Sequence, residues 1–307
     1  MNAVFASSFA LGRGVAIRAF RLEFICFCIL LASGCTTIPY EYTSERDFVN
    51  GPPLAQDEEQ FVVGKECSLL DASDWIWPGS LLRKLLLWNS RVDSHQVSDK
   101  TVDALRKYLG LNHLARVKVR INAYCVGDEW SRTMRNDSIA PAWRYTMGFW
   151  SWLIYTILPG RFFGGDSYNP YSNTINIYSD IPSIALHEGG HAKDFAKRKY
   201  KGTYAFFYSF VPFYNLYPEA LATNDALSYL YAQEDWDEYR QAYKLLYPAY
   251  GTYVGGDLAS WIAAPWTYWS YLGYAAVLPG HALGRIKAAQ VGNIQDDDQT
   301  ANDGAVE

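Results

Sequence analysis

The sequence has no basic stripe, no CxxC pair and no internal repeat. A net charge of −5 over 307 residues, without an RNA-binding motif, argues against a nucleic-acid partner. Without CxxC or a cysteine-rich cluster, there is no cysteine-built zinc site. Charge itself is scarce: 19 % of residues are Asp, Glu, Lys or Arg, below the usual quarter. That deficit fits a well-buried globule or one seated against a membrane. What fills the space is apolar and aromatic, with half the chain hydrophobic, 24 Tyr and 11 Trp. A chain of this length and composition can bury a sizeable core.

The N-terminus reads as an export signal rather than part of the fold. Arg13, Arg18 and Arg21 form a basic region, and Phe24 to Leu31 is a short apolar stretch. It ends in Leu31-Ala32-Ser33-Gly34-Cys35, which resembles a bacterial lipobox. The resemblance implies removal of residues 1–34, a lipid on Cys35, and a place in the bacterial cell envelope, on the outer membrane facing the periplasm. Residues 35–60, broken by Gly51-Pro52-Pro53, read as a tether. Cys67 and Cys125 remain after processing; in an oxidising compartment they form either a disulfide worth roughly 4 kcal/mol or two buried thiols.

Residues 61–290 read as the folded domain, α+β in class and mostly helical. Phe61 to Val63 starts a strand. Leu81 to Trp88 and Ser98 to Leu109 read as helices, the second capped by Ser98 or Asp99 and stopped at Gly110. Val117, Val119 and Ile121 alternate with Lys118, Arg120 and Asn122, predicting a strand with one wet face. The apolar run 145–158 is too short to span a bilayer and reads as a buried or surface-seated helix. Thr174 to Ser179 reads as a short strand. From Tyr204 to Gln290 the chain looks helical and aromatic-rich. The stretch between Asp257 and Arg285 holds no formal charge, and its Pro, Tyr and Trp favour a buried or membrane-touching helix pair over a span. Residues 291–307 read as a disordered acidic tail.

Chemistry concentrates in Ser183-Ile184-Ala185-Leu186-His187-Glu188-Gly189-Gly190-His191-Ala192-Lys193-Asp194-Phe195. Asp180 as N-cap, Pro182 in the first turn and basic residues at the end predict a helix over 181–199. His187 and His191, four residues apart, share one face, so two imidazoles reach one ion. Glu188 stands about 100° around the axis, close to that ion but off the ligand row, where a general base belongs. Ile184, His187, His191 and Phe195 form one row, so the metal face continues the core face. Gly189-Gly190 is costly in a helix, roughly 0.8–1 kcal/mol each, and predicts another backbone passing close.

The H-E-x-x-H pattern on a predicted helix resembles the zincin metallopeptidases. The resemblance covers roughly residues 170–230 and implies a small sheet beside the active helix, with the segment Asn173 to Ser179 matching the strand that binds substrate backbone. Asp194 and Lys197 stand where metzincins need Gly and His, which excludes that subtype. The gluzincin pattern, with a Glu from a following helix, implies Glu219 as third zinc ligand, 28 residues after His191. Ala220, Ala222 and Ala226 beside it allow close helix approach. Asp225 is a candidate to orient a histidine, and His281, Tyr178 and Tyr217 are candidates to stabilise an oxyanion. The family implies zinc-dependent peptide hydrolysis of an envelope protein or peptide. Two other readings stand beside it: a non-catalytic scaffold lipoprotein with a structural or relic metal site, and a zinc amidase acting on cell-wall peptides.

Overall fold

A computed structural model describes residues 40–44, 48, 51–65, 78–163, 165–262 and 273–303. The leader, Cys35 and Cys67 lie outside these residues. Cys125 is a half-buried free thiol rather than half of a disulfide.

The described elements run in chain order: β1 (Phe61–Val63), α1 (Pro78–Leu87), α2 (Asp99–Leu111), β2 (Lys118–Ile121) and α3 (Val126–Arg135). A π-helical turn at Arg144–Gly148 leads into α4 (Phe149–Ile157). Then follow β3 (Ser167–Asn169), β4 (Thr174–Ile177), α5 (Pro182–Lys197), α6 (Lys201–Phe210), α7 (Leu216–Ala232), α8 (Trp236–Ile262) and α9 (Val277–Asp303). The fold is α+β and mostly helical, as the periodicities predict.

The four strands form one mixed sheet in the order β1-β2-β4-β3. β1 and β4 both run parallel to β2, while β3 is antiparallel to β4 and forms an edge. This corrects the expected role of Asn173 to Ser179. β4 is paired on both sides, so it has no free edge to offer; that edge belongs to β3.

β2 also departs from its expectation of a wet face. All four of its residues are buried. On one face Val119 and Ile121 join Ile175 and Ile177 in the core. On the other, Arg120 pairs with Asp128 at 2.6 Å and with Glu129, both from α3. Lys118 lies 3.4 Å from Glu58, which also takes Arg132 at 2.8 Å. A strand of alternating charge therefore sits inside the protein because α3 and the 51–60 segment bring its counter-ions. Leaving one partner of such a buried pair uncompensated typically costs about 3–5 kcal/mol.

Glu58 gives this layer an acid limit. Burial would raise its pKa, but the Ala55 N–H, Arg132 and Lys118 prevail and hold it at about 2, against an ordinary 4.5. A depressed carboxylate contributes stability above its unfolded pKa and loses it as pH falls toward the folded value. Urea midpoints of the wild type should therefore drop between about pH 4.5 and 2. Glu58→Gln should flatten that slope, and an unchanged slope in the variant would remove Glu58 from the account.

The stretch read as a tether joins the fold earlier than expected. The compact unit starts at Tyr40. Thr43 Oγ1 donates to the Asn112 carbonyl at 2.8 Å, and Asn112 Nδ2 donates to the Tyr40 hydroxyl at 2.7 Å. Lys193 Nζ donates to the Glu41 carbonyl at 2.8 Å.

The apolar run around 150 forms a surface helix, α4, with Trp150 56 % and Ile154 57 % exposed. α8 and α9 pack along one another, with Leu278 and Ile286 of α9 exposed, and residues 263–272 of the uncharged stretch lie outside the described residues. Among the described residues no helix is long and apolar enough to cross a membrane. α9 continues to Asp303, so the acidic stretch read as disordered is helical that far. Its sequence contains no proline after Pro279 to stop it.

Candidate metal centre

α5 forms where expected, at Pro182–Lys197, with Pro182 in the first turn. Its cap comes from elsewhere. Asp180 points away and holds the start of α2, accepting from Ser98 N at 3.0 Å and Thr101 Oγ1 at 2.7 Å. Glu238 of α8 instead accepts the Ser183 N–H at 3.1 Å. A carboxylate at a helix N-terminus satisfies a free donor and suits the dipole, whichever segment supplies it. At the other end Arg198 pairs with Asp194.

His187 and His191 project from one face of α5, their Nε2 atoms 3.1 Å apart. α7 crosses that face and delivers Glu219. Its Oε2 lies 3.1 Å from His187 Nε2, and its Oε1 lies 3.5 Å from His191 Nε2. Ligand atoms about 2.0–2.1 Å from a tetrahedral zinc stand about 3.3–3.4 Å from one another. The Nε2–Nε2 and His187–Oε2 separations lie near that spacing, and with the second carboxylate oxygen against His191, one atom from each residue falls within 4.8 Å of the others. All three residues are buried, and together they are a group able to hold a metal ion. The chemistry of the donor set also fits. Two imidazole nitrogens facing each other at 3.1 Å need a shared proton or a shared cation, and a carboxylate beside them supplies the balancing charge. Thr223 Oγ1 lies 3.4 Å from His187 Nδ1 and helps set that ring.

Close approach of α7 depends on the glycine pair. A Cβ on Gly190 would lie 2.9 Å from Ala222 Cα and 3.0 Å from the Ala222 carbonyl oxygen. The backbone expected to pass this turn is therefore α7. Ala222 and Ala226 are fully buried against α5, and their small side chains permit the crossing. Gly189 has a different reason. A Cβ there would meet the ring of Tyr108 from α2 at 2.6 Å.

Glu188 is buried beside the ligands. Burial pushes its carboxyl up to about 8; His187 opposes the rise, while Glu219 and Asp166 add to it. The backbone N–H of Tyr168, on edge strand β3, donates to it. This sets the edge strand, the carboxyl and the ligand atoms side by side. Burial alone would raise Glu219 too, but His191 and His187 prevail and hold it well below the usual carboxylate range.

The remaining candidates fall elsewhere. The Asp225 carboxylate takes Lys193 at 2.6 Å and the Tyr108 hydroxyl, tying α7 to α5 and α2 rather than orienting a histidine. Its place on the helix turns it away from the Glu219 face. His281 stacks on Trp88 with ring centroids 3.9 Å apart and meets the Leu86 carbonyl oxygen at 2.7 Å, in the α1–α9 contact. Tyr217 is half exposed and lies against Arg198. Tyr178 is buried near His95 and Asp166, among the sheet residues. The phenols that do reach the centre were not singled out. Tyr208 of α6 donates to Glu219 Oε1, and Tyr253 of α8 also hydrogen-bonds Glu219. No spacing rule marks them, because they come from different helices on either side of α7.

No family model, curated protein or solved structure matches the chain.

Proposed function

We propose that this protein is a zinc-dependent peptide hydrolase held in the bacterial cell envelope by a lipid on Cys35. One observation carries the reading: one ligand atom each from His187, His191 and Glu219 converge within 4.8 Å of one another beside the buried carboxyl of Glu188. His187, His191 and Glu219 would hold the ion. When bound, zinc supplies Lewis acidity, polarising a carbonyl and making a water more acidic.

The protein's own groups do the rest. Glu188 takes the proton of the attacking water at its carboxylate and passes it to the leaving nitrogen. Tyr208 and Tyr253 hydrogen-bond the Glu219 carboxylate and hold it against the histidines. The β3 edge lies beside Glu188 and can accept an extended peptide. A second reading, a non-catalytic scaffold with a structural metal, draws on the exposed Trp150 and Ile154 of α4, because such apolar faces mark interaction surfaces.

Metal content tests the proposal. Residues 36–307, purified without chelator or metal-affinity tag, should carry about one zinc per chain by mass spectrometry. His187→Ala should carry almost none, and Glu219→Gln should hold zinc at least about tenfold more weakly. A folded wild type that holds no zinc after zinc addition and dialysis would put the scaffold reading first.

A further inference from the structure

A cavity of about 530 Å³ opens between α4, the β3 edge and α6. Met147, Trp150, Ile154 and Leu158 form one wall, and Tyr208 and Phe210 face them. It abuts the metal centre through two shared residues. Tyr208 lines the cavity and donates to Glu219; Tyr168 lines it and donates its backbone N–H to Glu188. His187, His191 and Glu219 themselves are outside its lining.

Three features define an occupant. The first is size: the volume falls within the range that takes a drug-sized molecule, well beyond a single side chain. The second is polarity. Polar groups of the lining are largely committed to the protein. Asp166 accepts the Tyr178 N–H at 2.7 Å and the Ser179 N–H at 3.0 Å; Asn169 donates to Ser151 at 3.0 Å and to Glu129 at 2.6 Å; Tyr168 donates to Asn173 at 2.8 Å. What remains facing the space is mostly apolar, and it includes the exposed side chains of Trp150 and Ile154 at the mouth. The third is position: the edge strand β3 lines the cavity at Ser167, Tyr168 and Asn169, and an edge strand is where an extended chain can lie.

We infer that this cavity binds a polypeptide segment carrying consecutive large apolar residues. Such runs are kept inside folded proteins, so the substrates are unfolded or unassembled chains rather than native ones. The inference deepens the peptide-hydrolase reading and rests on it for its biological meaning, but binding to the cavity is measurable without catalysis.

The compact unit from Tyr40 holds every element of the site, so residues 36–307 serve for the test. Two probes are compared by equilibrium titration: N-acetyl-phenylalanyl-leucinamide and N-acetyl-glycyl-serinamide. Wild type should prefer the first by about tenfold or more, the scale of burying two apolar side chains. Ser209 is exposed and lines the cavity, so Ser209→Trp fills it from a surface position without disturbing the core. This variant should lose the preference while its zinc content and thermal melt stay at wild-type values. Equal binding of both probes by wild type, or a preference retained in a folded Ser209→Trp, overturns the inference. A protein that keeps the apolar preference yet cleaves no peptide upholds the cavity and counts against the hydrolase reading alone.

Discussion

Glu188→Gln should cut hydrolysis of labelled, unfolded casein by about a hundredfold to ten-thousandfold, the scale of a lost general base. Zinc content should stay at the wild-type level. The reasoning is geometric. Glu188 sits next to His187 in sequence but off the His187–His191–Glu219 face, so removing its charge takes nothing from the ligand set. Gln is nearly isosteric and keeps an oxygen for the Tyr168 N–H. What it cannot do is accept a proton at the working pH. His187→Ala gives the contrasting pattern, losing activity and metal together. If Glu188→Gln lost zinc as well, Glu188 would be part of the ligand set; if it kept full activity, the scaffold reading would gain.

The second large effect is expected at Gly190. A Val there puts side-chain carbons where Ala222 Cα and its carbonyl oxygen already stand, 2.9 and 3.0 Å from the first added atom. Backbone cannot swing aside as a flexible side chain can, so α5 and α7 must separate. Overpacking of this kind costs about 1–3 kcal/mol, and helix propensity returns less than about 1 kcal/mol of it. Separation also carries Glu219, one turn from Ala222, away from the histidines. Zinc affinity should fall by about tenfold or more, with a lowered urea midpoint. Gly189→Ala is the control. It presses on Tyr108 of α2 instead, so it should cost stability with a smaller loss of zinc affinity. Native zinc affinity in a folded Gly190→Val would show that the helix approach does not set the ligand geometry.

Legibility in the sequence followed the range of the interactions. α5 was readable because its start, its turn-by-turn spacing and its end all lie within twenty residues. The strain of two glycines in that helix announced a close neighbour, though not that one would be α7 and the other a tyrosine ring. Glu219 came from a family pattern and landed on the histidines. Asp180, by contrast, had the residue type and position of an N-cap, and the structure uses it for α2. A cap is a local preference worth about 1 kcal/mol, and a carboxylate from α8 satisfies the same donor once packing brings it there. Lys118 and Arg120 alternated like a solvent-facing row, yet they are buried, because periodicity reports which residues share a face and not what covers that face.

The sequence alone determined the α+β class, the helix with His187 and His191 on one side, the place of Glu188 off that row, and the need for a small-residue crossing at Gly190. These follow from backbone geometry and side-chain type over a few residues. Only the tertiary structure decided that β3 rather than β4 owns the free edge, that Thr223, Tyr208 and Tyr253 surround His187, His191 and Glu219, that Glu238 caps α5, and that Tyr168 and Tyr208 line an apolar cavity. Those facts join segments far apart in the chain, and such contacts are fixed by how helices and strands pack to bury their apolar faces, which no local pattern records.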